Sequence, residues 1–159
     1  MYNYIIGKVV LQEGSYIVLD NNGIGYTIYV SNPFSYELDK EMKVYIYTQI
    51  KEDEHSLYGF KTNEERELFL KLIGVKGLGP KMALPMLATG SIAGIKDAID
   101  RENILYLKKF PKIGEKLARQ IILDLKGKLS HKEETDINNS SDELVSVLES
   151  LGYKNSEIT

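Results

Sequence analysis

The chain has no cysteine and only two histidines, His55 and His131. Without thiols there is no disulfide framework and no thiolate metal site. Two distant imidazoles lacking ligand-spaced partners give no metal centre either. Long apolar runs are also missing: nothing approaches the ~18 residues of a membrane span. The start, MYNYIIGKVV, has neither a basic segment nor a small-residue cleavage site, so no signal peptide is read and a cytoplasmic location is expected. A nucleotide-binding P-loop is absent as well. Gly74 to Gly79 matches its G-x4-G opening, but Pro80 stands ahead of Lys81 and removes an N–H that such a loop uses. No cofactor is expected, and any ATP-driven work falls to a partner.

What is present is enough for a core: 159 residues, 43% of them hydrophobic, allow one ordinary domain or two small ones. The formal net charge is −3, which by itself argues against a polyanion as ligand. Its distribution argues otherwise. Residues 1–63 carry five Lys/Arg against eight Asp/Glu, and 64–70 one against three. Residues 71–128 then carry twelve against five, and 129–159 two against seven. The positive charge is gathered in one segment, as expected where nucleic-acid backbone is bound.

That segment contains a repeat. Val75 to Lys81 reads V-K-G-L-G-P-K, and Phe110 to Lys116 reads F-P-K-I-G-E-K. Leu78 falls on Ile113, Gly79 on Gly114, Lys81 on Lys116 and Ala83 on Ala118. Each copy follows an apolar helical stretch and opens another, the pattern of a helix-hairpin-helix. Such a hairpin lifts orphan N–H groups at the positive end of a helix, where a phosphate is favoured. Gly77, Leu78, Gly79 and Lys81 form the first candidate DNA-backbone site, and Ile113, Gly114 and Lys116 the second. A lone hairpin reads equally as a helical corner without ligand; two copies on a basic segment favour binding. Two irregularities mark the second copy. Lys112 stands where the first has Gly77, which costs about 1 kcal/mol if that position needs a positive φ. Glu115 lies beside the proposed phosphate and repels it.

The first sixty residues are strand-like: Tyr4 to Leu11, Tyr16 to Leu19, Gly25 to Val30, Lys43 to Ile50 and Ser56 to Phe60 are rich in Val, Ile, Tyr and Thr. Glu13-Gly14, Asp20 to Gly23 and the stretch around Pro33 separate them. Five short strands predict a closed barrel of the OB-fold type. Tyr26, Tyr29, Tyr45, Tyr47 and Tyr58 fit a pleated core or interface better than a base-stacking platform. From Thr62 the period becomes helical. Thr62 or Asn63 caps the first helix, Lys81 to Leu87 continues the first hairpin with a kink or early end implied by Pro85, and Ser91 to Asp100, Asn103 to Lys109 and Glu115 to Lys128 follow. Residues 130–141 (SHKEETDINNSS from Ser130) read as a flexible linker, and Ser141 to Leu151 as one short amphipathic helix. A helix of that length needs a partner.

Glu52, Asp53 and Glu54 form an acidic tip between two predicted strands, flanked by Lys51 and His55. Three adjacent carboxylates are ordinarily a solvated turn. Consecutive residues seldom converge on a metal, and no distant carboxylate completes such a site. A third use is repulsion of phosphate from the wrong place.

The order of these parts resembles the RuvA family, whose members bind Holliday junctions. The likeness is carried by G-I-G-Y (23–26), K-E-D-E-H-S-L-Y-G-F (51–60), G-V-K-G-L-G-P-K-M-A-L (74–84) and A-R-Q-I-I-L-D-L-K-G-K (118–128). It covers residues 1–128 and, more weakly, 142–153. The resemblance implies an α+β multidomain chain. Residues 1–62 would be an OB-fold barrel for oligomerisation bearing an acidic pin, and 63–129 an all-α DNA-binding domain with tandem helix-hairpin-helix motifs. Residues 130–141 would be a linker and 142–159 a partial C-terminal domain for the motor.

It further implies a homotetramer, or two tetramers as an octamer, on an open four-way junction. The partners would be the RuvB AAA+ motor and the RuvC resolvase. Glu52 and Asp53 would be the pin at the crossover, and the basic Lys51 just before it would bind the DNA backbone. The protein itself would be non-catalytic, supporting branch migration in recombination and repair. Where the family commonly has P-G-I-G-K-K, this chain has P-K-I-G-E-K, so no phosphate contact passes to Glu115. The family's C-terminal three-helix domain is represented by about its first helix, as in an excised piece or a natural short form. Two rival readings remain: a helix-hairpin-helix duplex clamp without junction preference, and a glycosylase using Lys116 as nucleophile.

Overall fold

The computed structural model describes residues 2–129, and the predicted linker and tail helix lie outside them. Five strands, β1 (Tyr4–Gln12), β2 (Tyr16–Asn21), β3 (Ile24–Tyr29), β4 (Glu41–Lys51) and β5 (Glu54–Phe60), close into a barrel in the order β1-β2-β3-β5-β4. Every pairing is antiparallel except β3 with β5, where Ile28 and Tyr29 run parallel to Leu57 and Tyr58. This is the five-stranded barrel expected from the sequence. The alternation of side chains sends Ile5, Val9, Ile17, Leu19, Ile28, Val44 and Ile46 inward, all buried. Asn22 and Gly23 both take positive φ, +51° and +90°, and join β2 to β3 by the two-residue turn whose twist suits a hairpin. A bulge between Val9 and Leu11 bends β1 as the barrel closes.

Helices α1 (Asn63–Ile73), α2 (Pro80–Thr89), α3 (Ile92–Asp100), α4 (Ile104–Lys108) and α5 (Glu115–Leu125) follow. Thr62 is the cap of α1: its hydroxyl accepts from the Glu65 N–H at 3.2 Å, and the Glu65 carboxylate accepts from the Lys61 N–H at 3.3 Å. Ser91 and Asn103 cap α3 and α4 in the same way. Helix α2 runs through Pro85 to Thr89, further than the proline implied. Pro80 sits in its first turn, where no N–H is needed, and Pro85 forfeits a single interior hydrogen bond. No helix among the described residues is long and apolar enough to cross a membrane.

The barrel and the helices share a core. Tyr58 and Phe60 of β5 are buried with Leu68, Phe69 and Leu72 of α1. The Phe60 and Phe69 rings are 4.7 Å apart, and Tyr58 stacks on Phe69 at 5.7 Å. Arg66 adds a 2.7 Å hydrogen bond from Nε to the Ile46 carbonyl. Tyr29, Tyr45 and Tyr47 are half-buried against this same core, and Tyr26 packs on the barrel interior. These five tyrosines therefore serve packing.

Candidate nucleic-acid interface

The two sequence repeats fold into the same backbone. In the first, the Leu78 N–H donates to the Val75 carbonyl at 3.1 Å around Lys76 and Gly77; in the second, Ile113 donates to Phe110 at 3.2 Å around Pro111 and Lys112. The third residue of each turn has positive φ, +93° at Gly77 and +67° at Lys112, as a type II turn demands. Each copy supplies one favourable residue at a different turn position. Gly77 relieves the left-handed residue in the first, whereas Pro111 presets the second residue of the other. Lys112 thus bears the strain that its place in the repeat implied.

Leu78 and Ile113 are buried, each only 4% exposed, and anchor the turns to the helical core. Although grouped with the backbone-binding residues by sequence, they support the hairpins from beneath. The glycines after them stand outside. Gly79 (φ −104°, ψ 175°) caps α2, and Gly114 (φ −93°, ψ −177°) caps α5. Those angles are extended backbone open to any residue. A Cβ built on either glycine meets nothing within 4 Å. Nothing inside the protein therefore calls for glycine at these two caps. Among the described residues neither cap N–H donates to another group. What the two hairpins share is open space in front of orphan donors at the positive end of a helix, an arrangement that generally favours an anion.

Lys81 and Lys116 stand exposed in the first turns of α2 and α5. The hairpins adjoin, since Leu117 lies 3.6 Å from where a Gly77 Cβ would be. Glu115, the second irregularity, is held in an ion pair with Arg119 at 2.8 Å. That hydrogen bond and the charges of Arg119 and Lys108 hold its carboxyl below the usual range. The pairing spends the negative charge of Glu115 on its own helix. Two further cations belong to this surface: Lys76, which the sequence did not single out, and Lys112, noted there only for its place in the turn, are exposed at the two turn tips. They occupy different turn positions, Lys76 aligning with Pro111 and Lys112 with Gly77, so overlaying the copies residue by residue does not pair them.

The acidic tip is the two-residue connection of β4 and β5. Lys51 and Glu54 pair across the strand ends, leaving Glu52 and Asp53 exposed at the turn. Glu54 differs from them. It is half-buried, and its carboxylate accepts a 2.9 Å hydrogen bond from the buried Ser56 hydroxyl. The three carboxylates thus divide, two projecting into solvent and one turned toward the body of the protein.

Residues 1–59 match the family described as "RuvA N terminal domain", and residues 69–127 the family described as "SAM-like Helix-hairpin-helix tandem". The chain is similar to proteins named Holliday junction branch migration complex subunit RuvA. That of Pediococcus pentosaceus is 46% identical over 166 residues, covering 99% of this chain and 85% of the relative. That of Bacillus cytotoxicus is 46% identical over 175 residues, covering 99% and 85%. That of Bacillus thuringiensis is 44% identical over 176 residues, covering 100% and 86%.

Proposed function

The chain belongs to the RuvA family, and from that membership we propose that it is a structure-selective scaffold that holds a four-way DNA junction open for branch migration. The observation that carries the reading is the pair of superposable hairpins, each with a glycine that neither its backbone angles nor its neighbours require. Phosphate at Gly79 and Gly114, with Lys81 and Lys116 beside it, would grip each arm by its backbone. No base edge is read, as suits DNA that must slide.

In this reading Glu52 and Asp53 face the crossover. Copies of the tip brought together there repel phosphate and disfavour a continuous duplex, and Lys51 balances the base of the tip. The assembly is a tetramer, alone or doubled. The outer face of β1 supports a protein contact, because Tyr4, Ile6 and Val10 alternate with its buried residues and remain 49%, 45% and 42% exposed. Residues 1–62 act as the oligomerising barrel and 63–129 as the DNA-holding part. The protein is non-catalytic and works in the cytoplasm. ATP hydrolysis belongs to the RuvB motor, and RuvC is the resolvase that acts on the held junction.

The test is competition between an immobile four-way junction and a linear duplex of the same sequence in a gel-shift assay at moderate salt. The junction should be bound at concentrations where the duplex stays free. Equal binding would reduce the protein to a duplex clamp and leave its acidic tip without a role.

A further inference from the structure

A cleft of about 500 Å³ separates the barrel from α2, and its walls bring together Ser15, Tyr29, Glu54, Tyr58, Lys81 and Leu84. Two of these carry opposite charge. Glu54 enters from β5, beside the acidic tip; Lys81 enters from the first turn of α2, two residues after the open Gly79 cap. Neither is in an ion pair among the described residues. The Ser56 hydroxyl holds the Glu54 carboxylate at the cleft wall. Its field is felt there: the Tyr58 phenol is pushed up first by burial and next by the Glu54 charge. A half-buried carboxylate is screened less than one on an open turn. Lys81, on a flexible four-carbon stem, belongs both to this cleft and to the face that would receive phosphate.

We propose that Glu54 is a specificity-determining residue that competes with the DNA backbone for Lys81. The inference rests on the reading of hairpin one as a backbone grip. In free protein the Glu54 carboxylate attracts the Lys81 ammonium toward the cleft. Bound phosphate must draw it back out, so hairpin one holds DNA less tightly than its donors alone would. Hairpin two is balanced differently, because its neighbouring carboxylate, Glu115, is already paired with Arg119. Weakened grip at one of two hairpins favours substrates that engage many hairpins together, as a four-armed junction does, over a single duplex.

The test is a double-mutant cycle with Glu54→Gln and Lys81→Gln in the full chain, reading duplex affinity by fluorescence anisotropy at low salt. The amide oxygen introduced by Glu54→Gln can still accept from Ser56, and an unchanged melting temperature checks that the hairpin is intact. Lys81→Gln should weaken binding, and Glu54→Gln should tighten it roughly two- to fivefold, the range of an exposed charge pair. In the Lys81→Gln background, Glu54→Gln should then change nothing. Equal tightening in both backgrounds would overturn the proposal and make Glu54 part of a general acidic field. No tightening in either would overturn it as well. Unchanged binding by Lys81→Gln would remove hairpin one as a backbone grip, and this inference with it.

Discussion

At the scale of single residues, the informative positions are those where the protein gains nothing from the residue it carries. Gly77 is explained internally by its φ of +93°. Gly79 and Gly114 are not, because their angles suit any residue and their surroundings are open. Serine is the better helix cap, since its hydroxyl satisfies an orphan N–H. Gly79→Ser or Gly114→Ser should therefore leave the melting temperature unchanged or slightly raised. The same change fills the space before the helix and occupies its donors, so DNA affinity should fall about tenfold, or about 1.4 kcal/mol. Thermal melts and anisotropy titrations on the same samples check the opposed signs. Undiminished affinity would show that no phosphate approaches these caps. Both glycines were visible in the sequence as a spaced pair. That neither is needed for folding became visible only with the atoms around them in place.

At the scale of elements, the β4–β5 hairpin does two jobs with one strand end. Its turn residues Glu52 and Asp53 are exposed and make no packing contribution, while Tyr58 and Phe60 further along β5 enter the core shared with α1. Charge at the tip is therefore separable from stability. Glu52→Gln with Asp53→Asn should raise affinity for linear duplex several-fold at low salt and reduce junction preference, with unfolding unchanged. Raising the salt should erase the difference, as screening predicts for exposed charges. Duplex affinity equal to that of the parent would leave the tip as plain surface charge. The strand periodicity of Ser56 to Phe60 was legible because alternation is local, whereas the start of the strand at Glu54 was read as part of the acidic tip. The strand's barrel-to-helix role was not legible, because it depends on where α1 folds back.

At the scale of the whole molecule, the outer face of β1 is out of keeping with a barrel surrounded by water. Tyr4, Ile6 and Val10 lie outward, and Tyr2 meets Tyr26 edge-on at 5.9 Å beside them. Ile6→Glu places a charge on that face without touching the interior. If the proposed tetramer forms through this face, the change should shift it toward monomer in sedimentation velocity, while the far-ultraviolet spectrum of the barrel stays the same. An unchanged oligomer would move the contact elsewhere on the protein.

By itself the sequence determined whatever depends on residues close along the chain. The alternation of the strands, the turn signal from Asp20 to Gly23, the helix starts near Thr62, Ser91 and Asn103 and the doubled hairpin are all local, and each has its own residue signature. Tertiary structure decided what depends on residues distant in the chain. The parallel closure of β3 on β5, the packing of Tyr29, Tyr45, Tyr47 and Tyr58 against the helical core, and the placing of Glu54 and Lys81 on one cleft are of that kind. The physical reason is that a turn or cap is satisfied by its own neighbours. A core, a cleft or a pair of opposed charges comes into being only when separate elements pack and exclude the water between them.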